Sequence, residues 1–220
     1  MKLVKYIYLL FFISISYSCQ NNTDLENKVL IVELKPIVID TVIDSDLSEI
    51  KVSNKLSIPK DIYNQLTLVN VTYYGYDKLI HRGQIVCNKK VVEDVKVVFS
   101  DLYKIKFPIK SVKPMSFFNW DDDLSMQNNN TSCFNYRKVT NSKRLSEHSK
   151  GLAIDINPMV NPYVSSKGIM SPKNGQYKTS NIGTIGMDSE VIGIFKNIGW
   201  KWGGNWKRSK DYQHFSQSGK

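Results

Sequence analysis

Apolar and polar positions along the chain form a few periodic stretches separated by Gly-, Pro- and Asn-rich ones. LTLVNVTYYGYD, starting at Leu66, is dense in β-branched and aromatic residues and predicts a strand. Gln84 to Cys87 predict a second strand paired with it across the loop Gly75–Gly83, which places His81 in that loop as a solvated or hydrogen-bonding side chain. In VVEDVKVVFSDLYKIKFP, Val91, Val95, Val98, Phe99 and Leu102 recur at helical spacing on one face, with Asn88 as a cap and Pro108 as the stop. DSEVIGIFKNIGW repeats the pattern at Val191, Ile194, Phe195 and Ile198, capped by Asp188 or Ser189 and closed by Gly199. Cys133 to Tyr136 read as a short strand leading to Arg137, and the acidic run Asp121–Asp123 as a solvated turn.

LAIDI alternates with period two. Leu152, Ile154 and Ile156 point to one face and Ala153 and Asp155 to the other, so a carboxylate sits beside a residue too small to cover it. His148 precedes this strand, and Gly151 permits the turn that brings it back towards Asp155. Near the end comes DYQHF, with Asp211 and His214. Two histidines and one carboxylate suit a catalytic zinc that keeps a fourth position open for water. The segment between these motifs, NPMVNPYVSSKGIMSPKNGQYKTS, reads as a long loop beside the site. Trp200, Trp202 and Trp206 cluster around Gly203 and Gly204, and two of the three are expected in the core.

The first segment reads as an address. Lysines at positions 2 and 5 precede YIYLLFFISI, a run too short to span a bilayer and suited to a secretory leader. SYSC then ends at Cys19, which looks like a bacterial lipoprotein signal: cleavage before the cysteine, and lipid on Cys19. The expected organisation is a signal peptide over 1–18, a tether and N-terminal arm over 19–59, and one domain over 60–220. The expected location is the bacterial cell envelope, with the protein anchored to a membrane by lipid. In an exported protein, Cys87 and Cys133 either pair or remain thiols, and the sequence leaves both open. The chain of 220 residues carries a formal charge of +10, but its lysines are scattered and no base-reading motif is present. An anionic envelope fits this basic surface better than nucleic acid, which is not expected as a partner.

Ser146, His148, Gly151, Ala153 and Asp155, in the arrangement S-x-H-x-x-G-x-A-x-D, followed by D-x-x-H at Asp211 and His214, resemble the bacterial cell-wall metallopeptidases. That family holds the D-alanyl-D-alanine carboxypeptidases (VanY-like) and the L-alanyl-D-glutamate endopeptidases. NNTSCFNYR, DINPMVNPYV and GWKWGGNWKRSKDYQHF extend the likeness towards the endopeptidase branch, over about Ile62 to Ser216. The resemblance implies that His148, Asp155 and His214 hold one zinc ion and that Asp211 is the catalytic acidic residue. It implies that Arg137 holds the substrate and stabilises developing negative charge, with Ser146 as a further candidate substrate contact. It also implies an α+β fold in which an antiparallel sheet carries the zinc ligands and is flanked by helices (D,D-peptidase/hedgehog-like). The expected activity is hydrolysis of peptidoglycan stem peptides, as an L-alanyl-D-glutamate endopeptidase or, alternatively, a D-alanyl-D-alanine carboxypeptidase. A binding module that recognises wall peptides without cutting them is the alternative from another class.

Overall fold

The computed structural model describes residues 2–8, 37–52, 57–139 and 142–220. Cys19 and most of the expected leader and tether lie outside the described residues. The fold is mixed α+β, with few helices and several sheets. No helix among the described residues is long and apolar enough to cross a membrane.

The largest sheet has five strands. β1 (Lys2–Tyr8) lies antiparallel to β2 (Ile37–Ile43). After the one-turn helix α1 (Lys60–Tyr63), β3 (Leu66–Gly75) and β4 (Ile80–Asn88) form a hairpin in register from Leu66↔Asn88 to Tyr74↔Ile80. β2 runs parallel to β4 on its other side, so a strand of the N-terminal arm belongs to the same sheet as the hairpin. Val69, Val71 and Tyr73 alternate inward from β3 and meet the buried face of α2 (Val92–Lys104), namely Val95, Val98, Phe99 and Leu102. That is the helical face the periodicity predicts. Asn88 caps the 3-10 turn Lys89–Val91 that leads into it, accepting from the Lys90 amide at 3.1 Å. The chain then adds β5 (Pro108–Ile109) beside β3.

Beyond this point the strands are short. β6 (Ser111–Val112) pairs with β7 (Asn130–Thr131), on either side of the helix α3 (Asp122–Gln127). β8 (Ala153–Asp155) joins a second sheet, while β9 (Tyr163–Val164) and β10 (Met170–Ser171) form a small hairpin within the long loop. α4 (Glu190–Asn197) is capped by Ser189 and closed by Gly199 at φ +80°. It is followed by β11 (Lys201–Trp202), β12 (Lys210–Asp211) and β13 (His214–Ser216). β11, β13 and β8 make an antiparallel three-stranded sheet, and β12 pairs with β9.

Several expectations change. His81 lies inside β4, opposite Tyr73, because the turn closes earlier and the strand begins at Ile80. Cys133 to Tyr136 form no strand, and Cys133 lies in a bend. Their flanking amides go to separate partners: Ser132 to Asp155 O at 3.1 Å, Phe134 to Val86 O at 3.0 Å and Asn135 to His148 O at 3.0 Å. Cys87 and Cys133 are free thiols in the core, where burial pushes the Cys87 thiol up to about 12. Trp200 and Trp202 are the two core tryptophans, and Trp206 is partly exposed. The long loop is pinned by two fully buried asparagines. Asn157 donates to Pro108 O and Gly183 O, and Asn161 accepts from the Ile185 amide at 2.7 Å.

His81 ties the arm to the hairpin. Its Nδ1 lies 2.7 Å from Asp44 Oδ2, which also accepts from the Tyr73 hydroxyl, and its Nε2 lies 2.9 Å from Asp77 Oδ1. Burial opposes the imidazolium, but bonds to Asp44 and Asp77 and their charges outweigh it and raise the His81 pKa. Burial likewise opposes the Asp44 carboxylate, yet bonds from His81 and Tyr73, then the charges of His81 and Lys113, hold its pKa below the usual range. The stabilisation is therefore present above the unfolded carboxylate pKa of about 3.9 and is full up to about 6.5. It is lost as pH rises through the folded His81 pKa. Urea unfolding at pH 5.5 and pH 9 should show wild type losing about 1.5 kcal/mol more than His81→Gln on going to the higher pH. An identical pH dependence in both proteins would disprove the clamp.

Candidate metal centre and active site

Gly151 fixes the approach to the site. It turns the chain at φ +67°, and a Cβ there would lie 2.7 Å from the Asn88 amide nitrogen, so any side chain would push the turn off β4. The preceding turn, Glu147–Lys150, is a short 3-10 helix capped by Ser146, whose hydroxyl accepts from the His148 amide at 3.3 Å. His148 therefore reaches the site from outside the sheet. Asp155 and His214 face each other across β8 and β13 as direct register partners. Phe215, beside His214, stacks on Phe195 of α4 with ring centroids 3.8 Å apart, which holds β13 against the core.

The three side chains converge. His148 Nε2 lies 3.1 Å from Asp155 Oδ2, His214 Nδ1 lies 3.1 Å from Asp155 Oδ1, and the two ring nitrogens are 3.2 Å apart. All three residues are buried. Each ring has its remote nitrogen on a main-chain oxygen: His148 Nδ1 on Cys133 O at 2.7 Å, and His214 Nε2 on Lys220 O at 3.0 Å. A main-chain oxygen can only accept, so both remote nitrogens carry a proton, and in the neutral imidazole that binds a metal the facing nitrogens carry the lone pairs. Two lone pairs aimed at each other repel unless a cation lies between them.

The spacing suits a metal. Bonds of about 2.0–2.1 Å to nitrogen and oxygen in tetrahedral geometry put neighbouring ligand atoms about 3.3 Å apart. These residues form the one cluster of potential ligands found among the described residues. Without an ion, burial favours neutral forms, but the charges of His148 and His214 and their hydrogen bonds hold the Asp155 pKa far below the usual carboxylate range. Burial opposes a charged His214 as well; the bond and charge of Asp155 outweigh it and raise its pKa. The centre is thus electrostatically built for a positive charge.

Asp211 stands apart from this set. Among the described residues its enclosed Oδ1 has no hydrogen-bond partner. Burial raises its pKa, the charges of His214 and His148 and a bond from Gln213 pull it down, and Asp155 pushes it up, leaving it at about 6. Gly203 lets the neighbouring turn pass close behind it, since a Cβ there would sit 2.7 Å from Asp211 O. A poised carboxylate with one free oxygen beside a cation site is suited to accept and return a proton.

Arg137, Ser146, His148, Asp155, Asp211 and His214 all line one cleft of about 850 Å³. Every residue singled out for metal, catalytic or substrate roles in the domain is therefore brought together. Sequence reading missed others. Trp206 forms a wall with its ring 5.6 Å from that of His214, donating from Nε1 to Gly219 O. Fully buried Ser149 accepts from the Arg137 amide at 2.9 Å and donates to Arg137 O, so it clamps the segment that carries the arginine. Asp122 contacts Arg137 Nε at 2.9 Å and is not a solvated turn residue. The only sequence signal for Ser149 was its place inside the histidine motif, and Asp122 had none that set it apart from its acidic neighbours.

Residues 140–217 match the family model described as D-alanyl-D-alanine carboxypeptidase. No curated protein and no solved structure matches the chain. The matched segment contains His148, Asp155, Asp211 and His214, whereas Arg137 precedes it. Over residues 140–217, about a third of its length, the chain is thus similar to the family described as D-alanyl-D-alanine carboxypeptidase.

Proposed function

We propose that this protein is a zinc-dependent peptidase that hydrolyses an amide bond in peptidoglycan stem peptides, with the L-alanyl-D-glutamate bond preferred over D-alanyl-D-alanine. The single observation that carries the reading is the pair of facing imidazole nitrogens, 3.2 Å apart and both bridged by Asp155, beside an Asp211 carboxylate whose Oδ1 has no partner among the described residues. The preference for the endopeptidase bond rests on the flanking motifs GWKWGGNWKRSKDYQHF and DINPMVNPYV.

His148, Asp155 and His214 would hold the zinc. When bound, it supplies Lewis acidity that polarises the amide carbonyl and lowers the pKa of water to about 7. Asp211 takes the proton from the attacking water at its carboxylate and gives it to the leaving amine. Arg137 donates to the oxygen that becomes negative. Trp206 walls the cleft next to His214 and limits access of bulk water. Arg144, Lys207 and Arg208, all exposed at the cleft, give it a cationic mouth suited to the carboxylates of a wall peptide. The proposed location is the bacterial cell envelope, with Cys19 lipidated after removal of residues 1–18. In that mature form β2 loses its β1 partner.

Three measurements test the proposal. His148→Ala and His214→Ala should each lose bound zinc on dialysis, whereas Asp211→Asn should retain it and lose about 10²- to 10⁴-fold in turnover. Full activity in Asp211→Asn would remove that residue from the chemistry. The pH–rate profile should rise through the ionisation of Asp211, since the base must be charged. That step lies at about 6 without metal, and an adjacent dication moves it lower, so the zinc-loaded protein should be at its plateau by pH 6. A rising limb centred well above pH 6 would assign the base elsewhere. Finally, purified peptidoglycan should yield new amino-terminal D-glutamate by mass spectrometry, abolished by a chelator. Released D-alanine would move the assignment to the carboxypeptidase, and no chelator-sensitive product despite bound zinc would point to a binding module.

A further inference from the structure

The acidic run divides its side chains among separate tasks. Asp121 Oδ1 accepts from the Leu124 amide at 2.9 Å and starts α3, while Asp123 is exposed. Asp122 turns the other way. Its Oδ1 accepts from Asn135 Nδ2 at 2.7 Å, and its Oδ2 lies 2.9 Å from Arg137 Nε. Asn135 is buried, and its own amide donates to His148 O at 3.0 Å. The Arg137 main chain is held by Ser149 on one side and by the Ser146 amide, which donates to Arg137 O at 3.1 Å, on the other. The arginine segment and the turn that presents His148 are therefore one hydrogen-bonded unit. Within it, Asp122 is the group that forms an ion pair with the guanidinium.

A guanidinium offers two edges to an anion or carbonyl: the Nε side and the terminal pair of Nη atoms. In this protein Asp122 Oδ2 forms an ion pair with the guanidinium at Nε, although the Nε–H itself makes no hydrogen bond, and no other ion pair to Arg137 exists among the described residues. Asp122 and Arg137 both line the cleft that holds the candidate metal centre. The N–H groups of the guanidinium are thus left to meet a bound peptide.

We infer that Asp122 is a positioning residue for the peptidase reaction: its ion pair with Arg137 keeps the guanidinium at the cleft, where it meets an oxygen of the bound stem peptide. The inference rests on the proposed peptidase function. An amide at this position could still accept from Asn135 but carries no charge, so the attraction that holds the guanidinium is lost. The guanidinium would swing away without any loss of core packing.

The test is a double-mutant cycle on the zinc-loaded protein, with a synthetic stem pentapeptide that carries both candidate bonds. Asp122→Asn should lower kcat/KM by about 10- to 100-fold, the cost of misplacing a substrate-orienting group. Zinc content and Tm should stay at the wild-type values, and Asp122→Glu, which keeps the charge, should recover part of the loss. In an Arg137→Ala background, Asp122→Asn should cost nothing more, because the group it positions is gone. Titration calorimetry of the same peptide into the metal-free proteins should show the same pattern in Kd. Equal losses with and without Arg137, a loss that follows zinc content, or no loss in Asp122→Asn each overturn the positioning role. An inactive wild-type protein overturns the peptidase reading as well, whereas an active wild type with an unaffected Asp122→Asn overturns the positioning role alone.

Discussion

Two main-chain oxygens set the chemistry of this site. Cys133 O and Lys220 O each take the N–H of one imidazole, and so decide which nitrogen of His148 and of His214 presents a lone pair to the centre. Rotation of either ring would break a buried hydrogen bond and turn an N–H towards the ion position, a combined cost of several kcal/mol. The rings are therefore oriented before any metal arrives. Asp155 supplies the compensating charge, with one oxygen for each ring. Much of the surrounding architecture holds these two carbonyls and one carboxylate in place. The Ser132–Asp155 bridge fixes the chain next to Cys133, and the β8–β13 pairing sets His214 opposite Asp155.

The division between sheets follows from that requirement. The long hairpin and α2 provide a large share of the apolar burial but carry none of the candidate ligands. The ligands come from short strands and a one-turn helix laid on that base, where backbone direction changes every few residues. Such segments have little regular hydrogen bonding of their own, so side chains complete it: Asn157 and Asn161 for the long loop, Ser149 for the arginine segment, Asn135 for Asp122. Buried polar groups that are fully paired rigidify the elements they join. Rigidity is what a site of three converging ligands needs, since a shift of an ångström would spoil the coordination distances.

This division also explains what could be read from the sequence. The hairpin, α2 and α4 announce themselves because periodic burial leaves a periodic trace. The metal set was legible for a different reason. His, Asp and Gly in fixed order have few other uses, and Gly151 marks the turn that makes their convergence possible. Asp122, Ser149 and Asn157 left no such trace, because an isolated polar residue looks the same whether it is solvated or is the buried partner of a distant backbone group. His81 shows the limit in another form. The sequence gives no sign of Asp44 as its partner, since the two meet only when the N-terminal arm adds a strand to β4. The strand expected at Cys133–Tyr136 fails because the amides there serve Val86, Asp155 and His148 instead of one neighbouring strand.

The contrast between the two carboxylates in the cleft is the last step. Asp155 and Asp211 both lose solvation, yet their pKa values move in opposite directions. Asp155 has an imidazole on each oxygen, so its charged form is secured and it behaves as a permanent anion. Asp211 Oδ1 has no partner among the described residues, so burial dominates and leaves a group that exchanges its proton near neutrality. A ligand must stay charged, whereas a proton carrier must be able to take up a proton and release it. Separation of the two roles therefore requires no difference in side-chain chemistry, only a difference in what each oxygen touches. Gly203 contributes to that difference, because its missing side chain lets the turn after β11 pack directly against Asp211 and enclose it.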